Sequence, residues 1–158
     1  ATLLRPTLVY GAGRDQTLAR IAAMARRMGF FVLPRGAEGK RQPVHVDDLA
    51  EAALAVVDVP ATFAQAYALP GGETLAYREM VARTLAALQP PVRLREVPLP
   101  LFKSVLALAR KAGMMGGLTD DAVARMRDDL VFDASPAQRD FGYAPRAFIV
   151  DARAVRQG

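Results

Sequence analysis

The single histidine of the chain lies in the clearest candidate setting for acid/base chemistry. His45 is followed closely by two neighbouring carboxylates, Asp47 and Asp48. An imidazole titrates near neutral pH and can act as a general base, and carboxylates can share such work. However, His45 lies in a short apolar extended segment, which favours a buried, hydrogen-bonded structural role. The two aspartates precede an apolar run, and we interpret them as a helix cap and a partner of the helix dipole.

The composition excludes several kinds of functional site. The chain of 158 residues has no cysteine and one histidine, which excludes disulfides and thiolate or histidine-rich metal sites, so we predict no metal. The net charge of +5 comes mostly from scattered arginines. This pattern fits a solvated basic surface or one or two phosphate-binding arginines. We predict no nucleic-acid partner, because no stripe of interleaved aromatic and basic residues is present.

Strands alternate with helices along the chain, which predicts an α/β fold. Predicted strands cover residues 2–10 (ending at a turn over 11–13), 30–33, 66–69 and 92–97, with a polar loop over 38–42. Apolar spacing predicts helices over residues 16–28, 49–57, 77–88, 98–112, 120–129 and 135–142. Thr119 and Ser135 are predicted helix caps. The strands are few and short, so we expect them to belong to a larger parallel sheet.

Two predicted helices are unusually apolar. The helix of residues 49–57 is apolar nearly all round, which predicts that it is well buried. For residues 101–109 we favour core packing, and a substrate pocket, a subunit contact and a membrane surface are the alternatives. No apolar run is long enough to span a bilayer. The sequence shows no signal-peptide pattern, and the lack of cysteine agrees with a reducing compartment, so we expect a cytoplasmic protein.

Three segments resemble one known family when they are taken in order. They are RPTLVYG at residues 5–11, RQPVHVDDLA at 41–50 and YALPGGETLAYREM at 67–80. Their order and spacing resemble the C-terminal half of extended and atypical short-chain dehydrogenase/reductases, above all the NAD-dependent sugar-nucleotide epimerase/dehydratase proteins. The resemblance covers residues 2 to about 90 well and the rest weakly. It implies a Rossmann-like fold in which residues 1–158 form one C-terminal, substrate-binding portion.

The resemblance also implies a cofactor site. In such enzymes the strand end Arg-Pro-x-x-Val-Tyr-Gly lies beside the nicotinamide of NAD or NADP. The matching residues here are Pro6, Thr7, Leu8 and Val9. Proline fixes φ and has no N–H, so it can shape a wall without offering a competing donor. The alternative interpretation of the same residues is a strand end followed by a turn.

A substrate site follows from the second segment. In the epimerases an arginine four residues before the histidine contacts the pyrophosphate of the substrate, and Arg41 matches that position. A guanidinium suits a bidentate phosphate contact; the alternative is a solvent-exposed loop arginine. Arg35 in the preceding loop and Tyr10 at the strand end are further predicted substrate contacts.

Two motifs of the family are absent from the chain. It lacks Gly-x-x-Gly-x-x-Gly, the phosphate-binding loop, and Tyr-x-x-x-Lys, whose tyrosine is the acid/base; Tyr10 is followed four residues later by Arg14. We therefore predict no catalytic residue here and expect the tyrosine and lysine upstream, in an N-terminal half. The chain begins at Ala1 and enters a strand directly, so we expect that an N-terminal portion is missing. Ala76 stands where the family usually has a capping threonine or serine.

The leading hypothesis is the substrate-binding part of an NAD(P)-dependent nucleoside-diphosphate-sugar epimerase, dehydratase or reductase, that is, of an isomerase or oxidoreductase. This part should be inactive by itself. Its expected partners are a nucleotide-sugar or related phosphorylated substrate and the N-terminal half, and a homodimer is a further option. Two alternatives stay open: a non-catalytic dinucleotide-sensing or assembly subunit of the same fold, and a small stand-alone binding domain.

Overall fold

A computed structural model describes residues 1–11, 16–113 and 119–150. The predicted turn residues 12 and 13, Arg14 and residues 114–118 lie outside the described ranges. The strands are β1 (Leu3–Pro6), β2 (Val9–Tyr10), β3 (Phe30–Pro34), β4 (Lys40–Arg41), β5 (Val44–His45), β6 (Ala66–Leu69), β7 (Leu75–Ala76) and β8 (Arg93–Val97). The helices are α1 (Gln16–Met28), α2 (Val46–Ala55), α3 (Tyr77–Ala86), α4 (Leu99–Lys111), α5 (Asp120–Arg125) and α6 (Ser135–Phe141). The α/β prediction is confirmed.

The strands pair two by two. Three pairs are parallel, β1 with β6, β2 with β5 and β3 with β8, and β4 pairs antiparallel with β7. The predicted opening strand is divided at Thr7 and Leu8. The Thr7 N–H donates to the Leu69 carbonyl (3.3 Å), whereas the Leu8 carbonyl accepts from the Val44 N–H (2.9 Å). The polar loop predicted over residues 38–42 is corrected in part, because Lys40 and Arg41 pair with β7.

The largest core lies between α1, α3 and the strand pair β3–β8. The α1 prediction is confirmed at both ends, and its buried face is formed by Leu18, Ile21, Ala22 and Ala25. These residues recur at helical spacing and pack with Met80 and Leu85 of α3. Apolar burial on this scale is the main stabilising term of a small domain.

The N-terminus of α2 differs from the prediction. The capping residue is His45, whose Nδ1 accepts the backbone N–H of Asp47 (3.2 Å). The prediction that an aspartate caps this helix is therefore wrong, because the helix begins one residue earlier, at Val46. Asp47 and Asp48 occupy its first turn, where negative charge interacts favourably with the helix dipole. The predicted hydrogen-bonded role of His45 is confirmed, but the residue is half-buried rather than buried.

The predicted deep burial of α2 is also wrong. Ala52 is buried, but Leu54 is 76% exposed and Val57, just beyond the helix, is 62% exposed. The helix covers a second, smaller core around Tyr67 and Leu69 of β6 with one face only. Its other apolar face has no cover among the described residues.

The remaining helix starts give a mixed result. Thr119 caps α5 as predicted, because its Oγ1 accepts the Ala122 N–H (3.2 Å). Ser135 is not a cap: it is the first residue of α6, and its N–H donates to the carboxylate of Asp133 (2.9 Å). Ala76 provides no side-chain cap for α3. Instead the Tyr77 N–H donates to the Gly39 carbonyl (2.8 Å).

The helix α4 satisfies the core-packing prediction on one side. Phe102 and Leu106 are buried against Val123 of α5, whereas the outer side is exposed. None of the helices within the described residues combines the length and apolar character needed to cross a membrane.

Gly71 marks the closest approach between two segments of the chain. Its N–H donates to the Gln42 carbonyl (3.0 Å), and a Cβ at Gly71 would lie 1.7 Å from the carbonyl oxygen of Pro43. No side chain fits there, because the contact is with backbone rather than with a flexible side chain.

We expect Gly71→Ala to lower the free energy of unfolding by more than about 3 kcal/mol, since the two segments must separate. Gly29→Ala is the matched control: Gly29 has a φ of 74° and no atom within 4 Å of the Cβ position. It should cost only about 1–2 kcal/mol for the left-handed backbone. Urea denaturation of both variants measures the difference, and equal losses would contradict the close packing described here.

Candidate functional site

The predicted cofactor segment lies at the carboxyl ends of β1 and β6. Ligands of open parallel sheets bind at this edge. Pro6 is exposed, whereas Thr7, Leu8 and Val9 are half-buried. The hydroxyl of Thr7 donates to the backbone carbonyl of Gln42 (2.5 Å). This bond joins the cofactor segment to the segment that carries the predicted substrate arginine.

Gln42 bonds to two further segments, the loop after β6 and the segment before α6. Its backbone carbonyl also accepts the Gly71 N–H. Its side-chain Nε2 donates to the Thr74 hydroxyl (3.1 Å), and its Oε1 accepts the Phe132 N–H (2.8 Å). The sequence did not single out Gln42, because its partners are distant along the chain and no local pattern shows them.

A groove of about 580 Å³ lies beside Gln42. It is bounded by the loop after β6, the segment before α6 and the segment after α6. Its walls contain Gln42, Pro70, Gly71, Gly72, Thr74, Phe132, Asp133, Ala134, Ser135, Gln138, Gly142, Tyr143, Ala144 and Pro145. This wall carries hydroxyl, amide and carboxylate groups but neither lysine nor arginine. It is therefore suited to hydroxyl and carbonyl groups of a ligand, with charge recognised elsewhere.

Arg41, the predicted pyrophosphate ligand, is buried, with 6% of its surface exposed. Its Nη1 donates to the carbonyls of Lys40 (2.9 Å) and Asp128 (2.6 Å), and its Nη2 donates to the carbonyl of Arg125. The guanidinium lies 5.4 Å from the ring centre of Tyr77, within cation–π range. Burial lowers the pKa of Arg41 from its ordinary value. Its role in substrate binding stays a prediction, and in this geometry it anchors the segment after α5.

Arg35, the second predicted arginine, is exposed, and the adjacent Gly36 lies beside the exposed Arg127, which the sequence had not indicated. A Cβ placed on Gly36 would lie 3.7 Å from Nε and Nη2 of Arg127. Within the described part of the chain, neither Arg35 nor Arg127 has an ion-pair partner. We call Arg35 and Arg127 the arginine pair, because the contact at Gly36 brings the two chain segments together, and two exposed guanidinium groups in such segments are a candidate site for an anion.

The arginine pair and the groove lie at opposite ends of one segment. Residues 127–132 run beside β4: the Lys40 N–H donates to the Asp129 carboxylate (2.8 Å), and the Leu130 N–H donates to the Lys40 carbonyl (2.9 Å). Arg127 begins this segment, and Phe132 ends it at Gln42. An elongated ligand with one anionic group could contact both sites.

Tyr10, another predicted substrate contact, has 3% of its surface exposed and is not part of the groove wall. Its hydroxyl donates to the Ala147 carbonyl (3.4 Å) and accepts the Ile149 N–H (3.3 Å). Its ring makes edge contacts with His45 and Phe148, with centroids 5.1 and 5.0 Å apart. Burial raises its pKa. The substrate role stays a prediction, and the observed contacts hold the end of the described chain.

Residues 143–150, which we call the C-terminal strap, close one side of the groove. The Tyr143 hydroxyl donates to the Pro70 carbonyl (2.8 Å), and the Gly72 N–H donates to the Arg146 carbonyl (3.1 Å). The Glu73 carboxylate accepts the Phe148 N–H (3.1 Å). Its pKa is lowered mainly by hydrogen bonds from Arg83. The strap thus fixes the position of the loop after β6.

The buried carboxylate of Asp48 also holds the strap. It accepts the backbone N–H of Arg146 (3.0 Å) and its Nε–H (2.7 Å). This hydrogen bond raises the pKa of Arg146. The Nδ1 of His45 and the Oδ2 of Asp47 lie 3.4 Å apart, and neither residue is among those that line the groove. No cluster of three or more possible metal-ligating side chains occurs among the residues with described positions.

No family model matches the chain. The uncharacterized protein YbjS of Escherichia coli is 26% identical over 153 residues, covering 91% of this chain and 45% of that protein. The 2-alkyl-3-oxoalkanoate reductase of Stenotrophomonas maltophilia is 28% identical over 156 residues, covering 92% of this chain and 47% of that protein. The chain therefore spans about half the length of the curated relatives it matches.

Solved structures show the fold class. The epimerase Mth375 of Methanothermobacter thermautotrophicus matches 98% of this chain and 41% of its own, with a TM-score of 0.68 and 15% identity. The dTDP-glucose 4,6-dehydratase DesIV of Streptomyces venezuelae, solved with NAD and TYD bound, matches 98% and 42%, with a TM-score of 0.61 and 20% identity. The chain has the Rossmann-like α/β fold of these enzymes, which confirms the fold predicted from the three segments.

We expect Arg41→Gln to lower the free energy of unfolding by about 1–3 kcal/mol, because it removes charged hydrogen bonds to backbone carbonyls. Arg35→Gln, an exposed change six residues away, is the control and should leave stability within about 0.5 kcal/mol of the parent. Thermal and urea unfolding measure both. If Arg41→Gln unfolds like the parent, the anchoring role is wrong and the guanidinium is available for substrate.

Proposed function

We propose that this chain is the substrate-binding part of an NAD(P)-dependent enzyme of the epimerase, dehydratase or reductase type. The observation that carries the proposal is the position of residues 6–9: they lead from the carboxyl end of β1 into β2, and Thr7 bonds to Gln42 of the groove wall, in a fold shared with NAD-dependent enzymes. Pro6 and the backbone of residues 7–9 would hold the nicotinamide end of the cofactor. The cofactor would supply hydride transfer, and this part would position the substrate.

The open edge of β1 supports the proposal that further strands belong to the sheet. Among the described residues β1 pairs with β6 alone. Leu3 of β1 is 51% exposed, and the apolar residues Leu54, Val57 and Phe63, which lie between β1 and β6 in the sequence, are 76%, 62% and 55% exposed. Strands of a Rossmann-like sheet are covered on both faces. We therefore propose that an N-terminal dinucleotide-binding half packs here, and that it carries the catalytic tyrosine and lysine.

A nucleotide-sugar or related phosphorylated compound is the proposed substrate. Its anionic group would bind Arg35 and Arg127, and its hydroxyl groups would lie in the groove beside Gln42 and Thr74. Arginine suits this task because its planar group contacts two phosphate oxygens at once. In this proposal Arg41 acts as a positioning residue for the segment that connects the two sites.

A 3-oxo acid is a second candidate substrate. It is favoured by the similarity to a curated 2-alkyl-3-oxoalkanoate reductase across 92% of the chain and by a groove wall without lysine or arginine. The same arginine pair could bind a carboxylate, because a guanidinium matches carboxylates and phosphates alike. The two candidates differ in the group that the groove must accept: a polyhydroxylated sugar or an alkyl chain.

We expect the chain alone to bind NAD and NADP far more weakly than a longer protein that contains the upstream dinucleotide-binding half. The physical reason is that Pro6 and its neighbours form one wall only, and the phosphate-binding loop is absent from the chain. Isothermal titration calorimetry on both proteins tests this. Micromolar binding by the chain alone would contradict the division of the site into two halves.

We expect the double variant Arg35→Gln, Arg127→Gln in that longer protein to weaken binding of an anionic substrate by about 10- to 100-fold, since two charged hydrogen-bonding groups are lost. Arg26→Gln, an exposed arginine in the last turn of α1, is the control and should bind normally. Titration with a nucleoside-diphosphate sugar and with a 2-alkyl-3-oxo acid identifies the substrate class. Unchanged affinity for both would remove the arginine pair from the site.

A further inference from the structure

Phe132 differs from the other residues of the groove wall in combining a large apolar side chain with exposure. It lines the groove and is 48% exposed, whereas Tyr143, the other aromatic residue of the wall, is 5% exposed. The Phe132 N–H donates to Oε1 of Gln42 (2.8 Å), which fixes the backbone at this position. An aromatic ring on a fixed backbone offers a broad apolar contact to a ligand in the groove.

The polar side chains of the wall bond mainly to the protein itself. The Nε2 of Gln42 donates to the Thr74 hydroxyl (3.1 Å), and its Oε1 accepts the Phe132 N–H. The Tyr143 hydroxyl donates to the Pro70 carbonyl (2.8 Å). A polar group that already has a protein partner adds less to ligand binding, because its existing bond must be shared or exchanged. The wall therefore offers fewer hydrogen bonds to a ligand than its composition implies.

The backbone of the loop after β6 is satisfied in the same way. The N–H groups of Gly71 and Gly72 donate to the carbonyls of Gln42 (3.0 Å) and Arg146 (3.1 Å). The exposed amide of Gln138 remains for a ligand. A sugar exchanges many hydrogen bonds to water for bonds to its site, and each hydroxyl group left without a partner there weakens binding. A wall with few free groups therefore disfavours a polyhydroxylated ligand.

The charge of the wall keeps the anionic group of a ligand out of the groove. Among the residues that line it, Asp133 alone carries a charged side chain, and its carboxylate accepts the Ser135 N–H (2.9 Å). A carboxylate in this position repels a phosphate or a carboxylate of the ligand. The arginine pair, by contrast, is exposed at the other end of the segment 127–132. The groove is therefore suited to an uncharged part of the ligand.

We propose that Phe132 is a specificity-determining residue, and that the groove holds the alkyl chain of a 2-alkyl-3-oxo acid against its ring. This assignment rests on the proposed function and selects the second of its two candidate substrates. An alkyl chain needs no hydrogen-bond partner, so the satisfied wall does not penalise it, and contact with the ring removes apolar surface from water. The groove of about 580 Å³ has room for such a chain, while the carboxylate of the acid binds the arginine pair.

A homologous series of ligands tests this assignment in the longer protein that contains the upstream half. The probes are 2-alkyl-3-hydroxy acids, the reduced and more stable forms of the candidate substrate, with a methyl, butyl or octyl group on the second carbon. Isothermal titration calorimetry in the presence of NAD or NADP measures their affinities. We expect the affinity to rise about two- to fourfold for each added methylene group. A nucleoside-diphosphate sugar serves as the competing probe.

Substitutions at two adjacent positions separate the ring from general apolar surface. Phe132→Ala should weaken binding of the octyl acid about tenfold or more and leave the methyl acid within about twofold, because only the long chain reaches the ring. Phe132→Leu should restore most of the lost affinity. Val131→Ala is the matched control: Val131 is 47% exposed but is not among the residues that line the groove, so it should bind every probe as the parent does.

The assignment of Phe132 is overturned if affinity does not depend on chain length, or if Phe132→Ala and Val131→Ala weaken the octyl acid equally. It is also overturned if Phe132→Ala weakens binding of the sugar probe and of none of the acids. Circular dichroism checks that each variant is folded. The double variant Arg35→Gln, Arg127→Gln tests the proposed function separately: it should weaken all three acids by the same factor. A chain-length effect that survives with unchanged affinities in that variant would support the role of Phe132 and remove the arginine pair from the site.

Discussion

The hydrogen bonds of Gln42 are the interaction on which the arrangement of the candidate site depends. The backbone carbonyl of Gln42 accepts hydrogen bonds from the Thr7 hydroxyl and the Gly71 N–H. Its side-chain amide bonds to Thr74 and to the Phe132 N–H. The cofactor segment, the loop after β6 and the segment before α6 are thereby held at fixed separations. Each of these bonds is modest in isolation, because folding exchanges it for bonds to water. Together they define one geometry for the groove, since a change in any segment breaks a bond elsewhere.

The strap secures the same arrangement from the opposite side. Asp48 holds Arg146, Glu73 holds Phe148, and the Tyr10 hydroxyl bonds to both Ala147 and Ile149. The side chains that do this lie in the three segments whose order resembles the epimerase/dehydratase family. Conspicuous polar residues of those segments thus join the segments to the end of the described chain. His45 caps α2, Asp47 occupies its first turn and Asp48 binds Arg146, so the observed contacts of these three residues are structural.

Sequence reasoning captured the elements whose cause is local. Apolar spacing located α1, a hydroxyl side chain located the start of α5, and β-type composition located β6, because each depends on residues close in sequence. Sequence reasoning failed for features that depend on residues far apart in the sequence. The division of the opening strand at Thr7 is caused by Leu69 and Val44, and the exposure of Leu54 depends on which elements pack against α2. The sequence identified one member of the arginine pair, Arg35, in its loop. Arg127 is distant in the sequence, and only the fold brings it near that loop.

The contrast between Arg41 and the pair Arg35 and Arg127 shows how burial separates identical residue types into different roles. Arg41 directs three of its bonds to carbonyls and rests against Tyr77; rotating it toward a ligand would leave those carbonyls without a charged donor. Arg35 and Arg127 are exposed, so an anion that binds them replaces water rather than an existing protein contact. Binding an anion therefore costs less at the exposed Arg35 and Arg127 than at Arg41. A substrate charge is consequently expected at the start of the segment 127–132 and its uncharged part at the end, beside Gln42.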